Sequence, residues 1–171
     1  MAETMLNVTD IDKITNVLEI MKLYELALSD FYKQCADVWK EDREFWDGMS
    51  HAEIQHAENI QKMCEILINK QGSFEVGRPF NLVVLRTALA GANQNRKRLK
   101  EGALSREKVL VLARDIEQSI LESRYAEIVK TNDVEYQSLI KKIVSQTSDH
   151  KMMLQKKIDD LKTASIKSSS L

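Results

Sequence analysis

Helix breakers are almost missing from this chain, which has one proline and five glycines in 171 residues. A sequence so poor in them has little with which to interrupt long helices. Cysteine is scarce as well: Cys35 and Cys64 are the two thiols, and no Cys-x-x-Cys occurs. That excludes a disulfide framework and makes a reducing cytoplasm the expected setting. Charge of one sign is not in excess, since the formal net charge is −1. No global field therefore draws in nucleic acid or an anionic membrane, and neither is an expected partner. The one dense basic run, Arg96-Lys97-Arg98-Leu99-Lys100, reads as the solvated face of a connector. Long apolar runs are lacking too. Stretches such as residues 109–113 fall far short of a membrane span, and no apolar segment of leader type opens the chain.

What remains is a composition 43% hydrophobic and 30% charged, that of a globular chain. The length suits one domain, placed at residues 1–162, and the Ser/Lys-rich residues 163–171 are expected to fray. Four stretches carry the same three- and four-residue spacing of apolar positions. The first starts near Thr9-Asp10 and runs Ile11, Ile14, Leu18, Met21, Glu25, Leu28, Tyr32, Cys35, Trp39. The second runs Trp46, Met49, Glu53, His56, Ile60, Met63, Leu67. The third carries Leu110, Ala113, Glu117, Ile120, Leu121 and Ile128, and the fourth Tyr136, Ile140, Ile143, Thr147, His150, Leu154, Ile158 and Leu161. Such spacing predicts an all-α four-helix bundle. Gly72, Gly77 and Pro79 mark one real break, followed by a short extra helix over 81–100 that ends at Gly102, with Ser105 capping the next helix. The implied topology is two antiparallel hairpins joined by a long crossover through residues 71–104.

Charged and ionisable residues interrupt these seams in a pattern. Burying an ionised carboxylate costs several kcal/mol unless something compensates it, and leucine would avoid that cost. Yet Glu25, Glu53 and Glu117 occupy seam positions, with His56 and His150. Glu53 and His56 stand three apart, hence on one helix face, the spacing with which helical bundles hold iron or manganese. Pairing the first hairpin so that Glu25 lies level with about residue 54 puts Glu25, Glu53 and His56 in one layer. The same register leaves the two thiols about 30 Å apart. Each of these residues also has a plain alternative: a buried Glu–His pair that satisfies itself, or a core histidine that is only hydrogen-bonded. Tyr32 and Tyr125 read as core aromatics whose phenols are able to hydrogen-bond a ligand carboxylate. Thr147 reads as a small filler whose hydroxyl bonds back to its own helix. His51 falls on the surface, Glu122 is a weak extra candidate, and Met21, Met49, Met63 and Met153 read as packing.

The chain resembles the ferritin-like, rubrerythrin-type family of di-iron carboxylate proteins over roughly residues 10–160. The resemblance rests on Glu25 with Tyr32 seven positions later, Glu53-x-x-His56-Ala57, Ala113-x-x-Ile116-Glu117 and His150. The stretch Glu101-Gly102-Ala103-Leu104-Ser105 through Ala113 is similar to that family's entry into its third helix. It implies metal ligation by Glu25, Glu53, His56, Glu117 and His150, with one or two iron ions, or manganese or zinc in their place. It also implies redox chemistry with O₂ or peroxide and an external electron donor. A homodimer is the expected assembly. At one place the chain departs from the family: Thr147 stands three before His150, where the pattern has Glu. The chain also contains no Cys-rich rubredoxin module. A single metal, two metals held unequally, and a degenerate site in a partner-binding or regulatory bundle all remain compatible with that departure.

Overall fold

The computed structural model describes residues 6–78, 81–122 and 125–168, with the side chains of 120–122 and 166–168 left aside. Pro79 and the side chains of Ile120, Leu121 and Glu122 therefore lie outside the described residues. The described chain is all-α in class, with five helices and one small sheet. They are α1 (Val8–Val38), α2 (Arg43–Asn69), α3 (Leu82–Lys100), α4 (Arg106–Glu122) and α5 (Val134–Ser168). None of these is long and apolar enough to cross a membrane.

Helix α1 opens two residues earlier than the Thr9-Asp10 start read from the sequence. Asn7 is the N-cap: its Oδ1 accepts from the Asp10 N–H at 2.9 Å, and the Asp10 carboxylate accepts from the Asn7 N–H. This reciprocal box satisfies two of the donors that every helix start leaves unpaired. The end of α3 follows expectation. Gly102 takes φ 70°, its N–H bonds Leu99 O, and the Ala103 N–H bonds Arg98 O, closing the helix in the left-handed turn that glycine adopts without strain. Ser105 Oγ then accepts from the Lys108 N–H at 3.3 Å.

Helix α1 packs along α2, α4 along α5, and α2 meets α5, while α3 lies on α1. All the seam residues of α2, and those of α1 through Cys35, are buried, with Trp39 partly so. Each aliphatic side chain among them contributes about 1.5–3 kcal/mol through burial. Met21, Met49 and Met63 belong to this core, whereas Met153 is 44% exposed and does not. Both cysteines are free; Cys35 is buried and Cys64 only partly. In the basic run, Arg96 pairs with Asp30 of α1 while Lys97, Arg98 and Lys100 face outward.

Two expectations need correction. Helix α4 ends at Glu122 rather than continuing to Ile128. Tyr125–Glu127 forms a 3-10 turn, and Val129–Thr131 (β2) pairs antiparallel with Phe74–Val76 (β1). The β-branched Ile128, Val129 and Thr131 suit an extended chain better than a helix end. The second concerns the tail, where α5 continues to Ser168 although residues 162–165 are exposed. Within that exposed stretch Thr163 and Ser165 turn their hydroxyls back onto the Asp159 and Leu161 carbonyls.

Gly77 locks the small sheet to the segment after α4. A Cβ there would lie 2.1 Å from Glu127 O and 2.6 Å from the Ile128 carbonyl carbon, all backbone that cannot step aside. Gly77→Ala should therefore lower stability by about 1–3 kcal/mol, read as a shift in the denaturation midpoint. An unchanged midpoint would mean that this close approach is not needed.

At one end of the helices, buried Asp42 accepts from Arg106 Nε at 2.6 Å and Lys157 Nζ at 2.7 Å, joining the starts of α2 and α4 to α5. Burial alone would raise its pKa, but the two cationic donors together hold the carboxyl below its usual range. A depressed pKa means that this contribution is present above the ordinary carboxylate value and fades as pH falls through the lower folded one. Asp42→Asn should cost about 1–3 kcal/mol at neutral pH, with the difference from wild type shrinking in acid. A pH-independent difference would contradict the ionic reading.

Candidate metal centre

Each helical seam delivers its ionisable residues to one buried layer. Glu25 comes from α1, Glu53 and His56 from α2, Glu117 from α4, and Thr147 and His150 from α5. Glu25, Glu53, His56, Glu117 and Thr147 have no exposed surface, and His150 is 5% exposed. All five residues proposed as ligands from the sequence are thus brought together. His51 is exposed and bonds Gln55 instead.

Glu53 stands at the centre. Its Oε2 lies 3.0 Å from His56 Nδ1, and its Oε1 lies 3.3 Å from His150 Nδ1. Glu25 Oε2 is 4.0 Å from His56 Nδ1, and Glu117 Oε2 is 3.5 Å from His150 Nδ1. Two groups result: Glu25, Glu53 and His56; and Glu53, Glu117 and His150. In each, one donor atom per residue lies within 4.8 Å of the others, so each could hold a metal ion. Glu53 belongs to both.

The unpaired atoms test this fit. Glu25 Oε2, Glu53 Oε1, Glu117 Oε2 and His150 Nδ1 are all buried without a hydrogen-bond partner. Leaving one such group unpaired costs about 1–3 kcal/mol, more when charged, and four of them converge here. A cation held by Glu53, Glu117 and His150 would satisfy three of them and one held by Glu25, Glu53 and His56 the fourth, and the Glu/His donor set suits divalent transition metals.

The remaining oxygens of the outer glutamates are held. Tyr32 OH donates to Glu117 Oε1 at 2.6 Å, and Tyr125 OH donates to Glu25 Oε1 at 2.8 Å. Tyr32 of α1 thus reaches Glu117 of α4, and Tyr125, just after α4, reaches Glu25 of α1, leaving each Oε2 to face the centre. Burial, reinforced by the carboxylates, raises both phenol pKa values, so both stay protonated donors. The turn at Tyr125–Glu127, which the seam pattern reads as helix, is what carries the second phenol to Glu25.

Without a metal the layer shares protons unevenly. Burial and the nearby Glu53 charge push Glu25 well above the usual carboxylate range, against the opposing Tyr125 bond. Glu117 is raised for the same two reasons, against His150 and Tyr32. Burial would also raise Glu53, but the two imidazoles outweigh it and bring it to about 2. For His150, burial would lower the pKa, and the Glu117 and Glu53 carboxylates instead drive it up to about 10.

Thr147 Oγ1 donates to Ile143 O at 2.9 Å, as expected of a helix-interior threonine, and contributes no charge to the layer. Sequence reasoning missed Gln146, whose Oε1 lies 3.1 Å from His56 Nε2. It sits outside the apolar spacing of α5, and nothing in that spacing distinguishes it from a surface glutamine. Comparison with protein-family models, with curated proteins and with solved structures finds no match.

Proposed function

We propose that the chain is a ferritin-like four-helix bundle of rubrerythrin type, two antiparallel hairpins joined by the α3 crossover, that binds non-haem iron and reacts with O₂ or peroxide. The single observation that carries the reading is the placement of Glu53 between two Glu/His groups in which Glu25 Oε2, Glu53 Oε1, Glu117 Oε2 and His150 Nδ1 are buried without a hydrogen-bond partner. On this reading Glu25, Glu53, His56, Glu117 and His150 would be the ligands, with Glu53 common to both groups. Iron bound there would supply electrons for the reduction of O₂ or peroxide, replenished by an external donor. The chain's own part is to hold the carboxylates through Tyr32 and Tyr125 and to keep bulk water out of the layer. Three carboxylates would leave one positive charge uncompensated on two divalent ions, and Thr147 adds no charge to offset it. No nucleic acid or membrane is involved on this reading, the setting is cytoplasmic, and the assembly is a homodimer.

The test is elemental analysis of protein purified without added metal, followed by anaerobic Fe²⁺ titration and then peroxide or O₂. Stoichiometric iron binding and oxidation with peroxide consumption support the reading; no binding of Fe²⁺ refutes it. Thr147 favours a second reading, a ferritin-like bundle with a degenerate site that acts through its surface as a partner-binding or regulatory protein. Zn²⁺ or Fe²⁺ binding without turnover would favour that outcome.

A further inference from the structure

Gln146 lies on α5 one position before Thr147, and its carboxamide crosses to α2 to meet His56 Nε2 at 3.1 Å. We propose that Gln146 is a positioning residue that fixes the proton of His56 on Nε2 and thereby makes Nδ1 the metal-binding nitrogen. The proposal rests on the metal reading above and deepens it. In the orientation placed here the amide oxygen faces Nε2, and because an amide oxygen only accepts, that orientation puts the hydrogen on Nε2. The other nitrogen, Nδ1, faces Glu53 Oε2 at 3.0 Å and Glu25 Oε2 at 4.0 Å. Two carboxylate oxygens and a bare imidazole lone pair repel, so a proton or a metal cation has to lie among them. The Gln146 contact is compatible with both states. When a metal replaces the Nδ1 proton, Nε2–H and its acceptor stay as they were, and the ring need not turn.

The chemistry of the acceptor matters as well. A carboxylate in this position would make His56 a more basic ligand and add a negative charge, whereas a carboxamide orients the ring and leaves the charge unchanged. Gln146 also links the two hairpins, since His56 belongs to the first and Gln146 to the second. Its role is therefore to set the ring's rotation as seen from the opposite side of the layer.

The experiment uses the full chain with Zn²⁺ and, anaerobically, Fe²⁺, comparing wild type with Gln146→Leu and Gln146→Glu. Ion by ion affinity comes from chelator competition, and the His56 proton from imidazole ¹⁵N shifts with and without Zn²⁺. Gln146→Leu should weaken one of the two ions about 10–100-fold while the other changes little. Gln146→Glu keeps an acceptor and should restore binding to the wild-type level or tighter. In metal-free wild type His56 should carry hydrogen on Nε2, and in the Zn²⁺ form on Nε2 alone. Gln146→Leu binding both ions as wild type does would overturn the proposal and leave the metal reading standing. So would an Nδ1-only proton in the metal-free protein. Wild type binding neither ion would refute the metal reading itself, with the ¹⁵N result still deciding what Gln146 does to His56. A change in melting temperature with no change in affinity or proton position would show a merely structural contact and would also overturn it.

Discussion

Glu53→Gln should empty both ligand groups at once, whereas Glu25→Gln and Glu117→Gln should each empty one. The difference follows from the geometry, because Oε2 of Glu53 serves the His56 group and Oε1 the His150 group. Structural zinc sites bind with about 10–16 kcal/mol over four ligands, so one anionic ligand is worth roughly 3 kcal/mol, or on the order of 100-fold in affinity. Glu53→Gln would remove that ligand from both groups. Metal content per chain should fall to background, while each outer variant keeps about half of the wild-type value. Stability gives an independent reading: a metal at 100 times its dissociation constant raises wild-type stability by about 2.7 kcal/mol, and Glu53→Gln should lose that increment. The metal-free variant should still fold. Glu117 remains beside His150, and a glutamine amide is able to donate to the unpaired oxygens of Glu25 or Glu117. Wild-type metal content in Glu53→Gln would refute the shared-ligand geometry.

The sequence exposes the layer because its parts all obey one rule. Glu25, Glu53, His56, Glu117 and His150 sit at helix-seam positions, and a period of 3.6 residues turns one face of each helix to the core. The turn chemistry at Gly102, Ser105 and Asp133 is local and equally readable; Asp133 Oδ1 accepts from the Tyr136 N–H at 2.9 Å. The missed features depend on partners distant in sequence. The β1–β2 pair joins Phe74–Val76 to Val129–Thr131, and three-residue strands carry too little alternation to show against helical periodicity. Gln146 is chosen by where α2 lies against α5, a packing relation that no single-helix pattern contains. Tyr125 sits between these cases. Its spacing from Glu117 parallels that of Tyr32 from Glu25, yet its path to Glu25 runs through a turn rather than along a helix.

Metal affinity should rise steeply with pH through neutrality, while the stability of the metal-free protein falls, and the opposition of sign is the telling result. Ligands bind metal without their protons. With His150 driven up to about 10 and Glu25 raised well above the ordinary carboxylate value, both groups hold protons that a metal must displace. Each displaced proton adds about one unit to log K per pH unit, so affinity should climb about 10–100-fold per unit below these pKa values. In the metal-free fold the sign is reversed. Glu25 and Glu117 bind protons more tightly folded than unfolded, so their contribution is full below the unfolded carboxylate value and drains as pH rises through the folded one. His150 behaves likewise at higher pH, with its contribution complete below the unfolded histidine value and lost towards about 10. Glu53, depressed to about 2, contributes in full throughout this range and loses its effect only in strong acid. Melting temperatures with and without Zn²⁺, measured between about pH 5.5 and 7.5, should therefore diverge as pH increases. Proton release measured calorimetrically in buffers of different ionisation enthalpy should give about one to two protons per ion bound. A constant gap between the two melting curves, with no protons released, would show that the buried layer does not exchange its protons for metal.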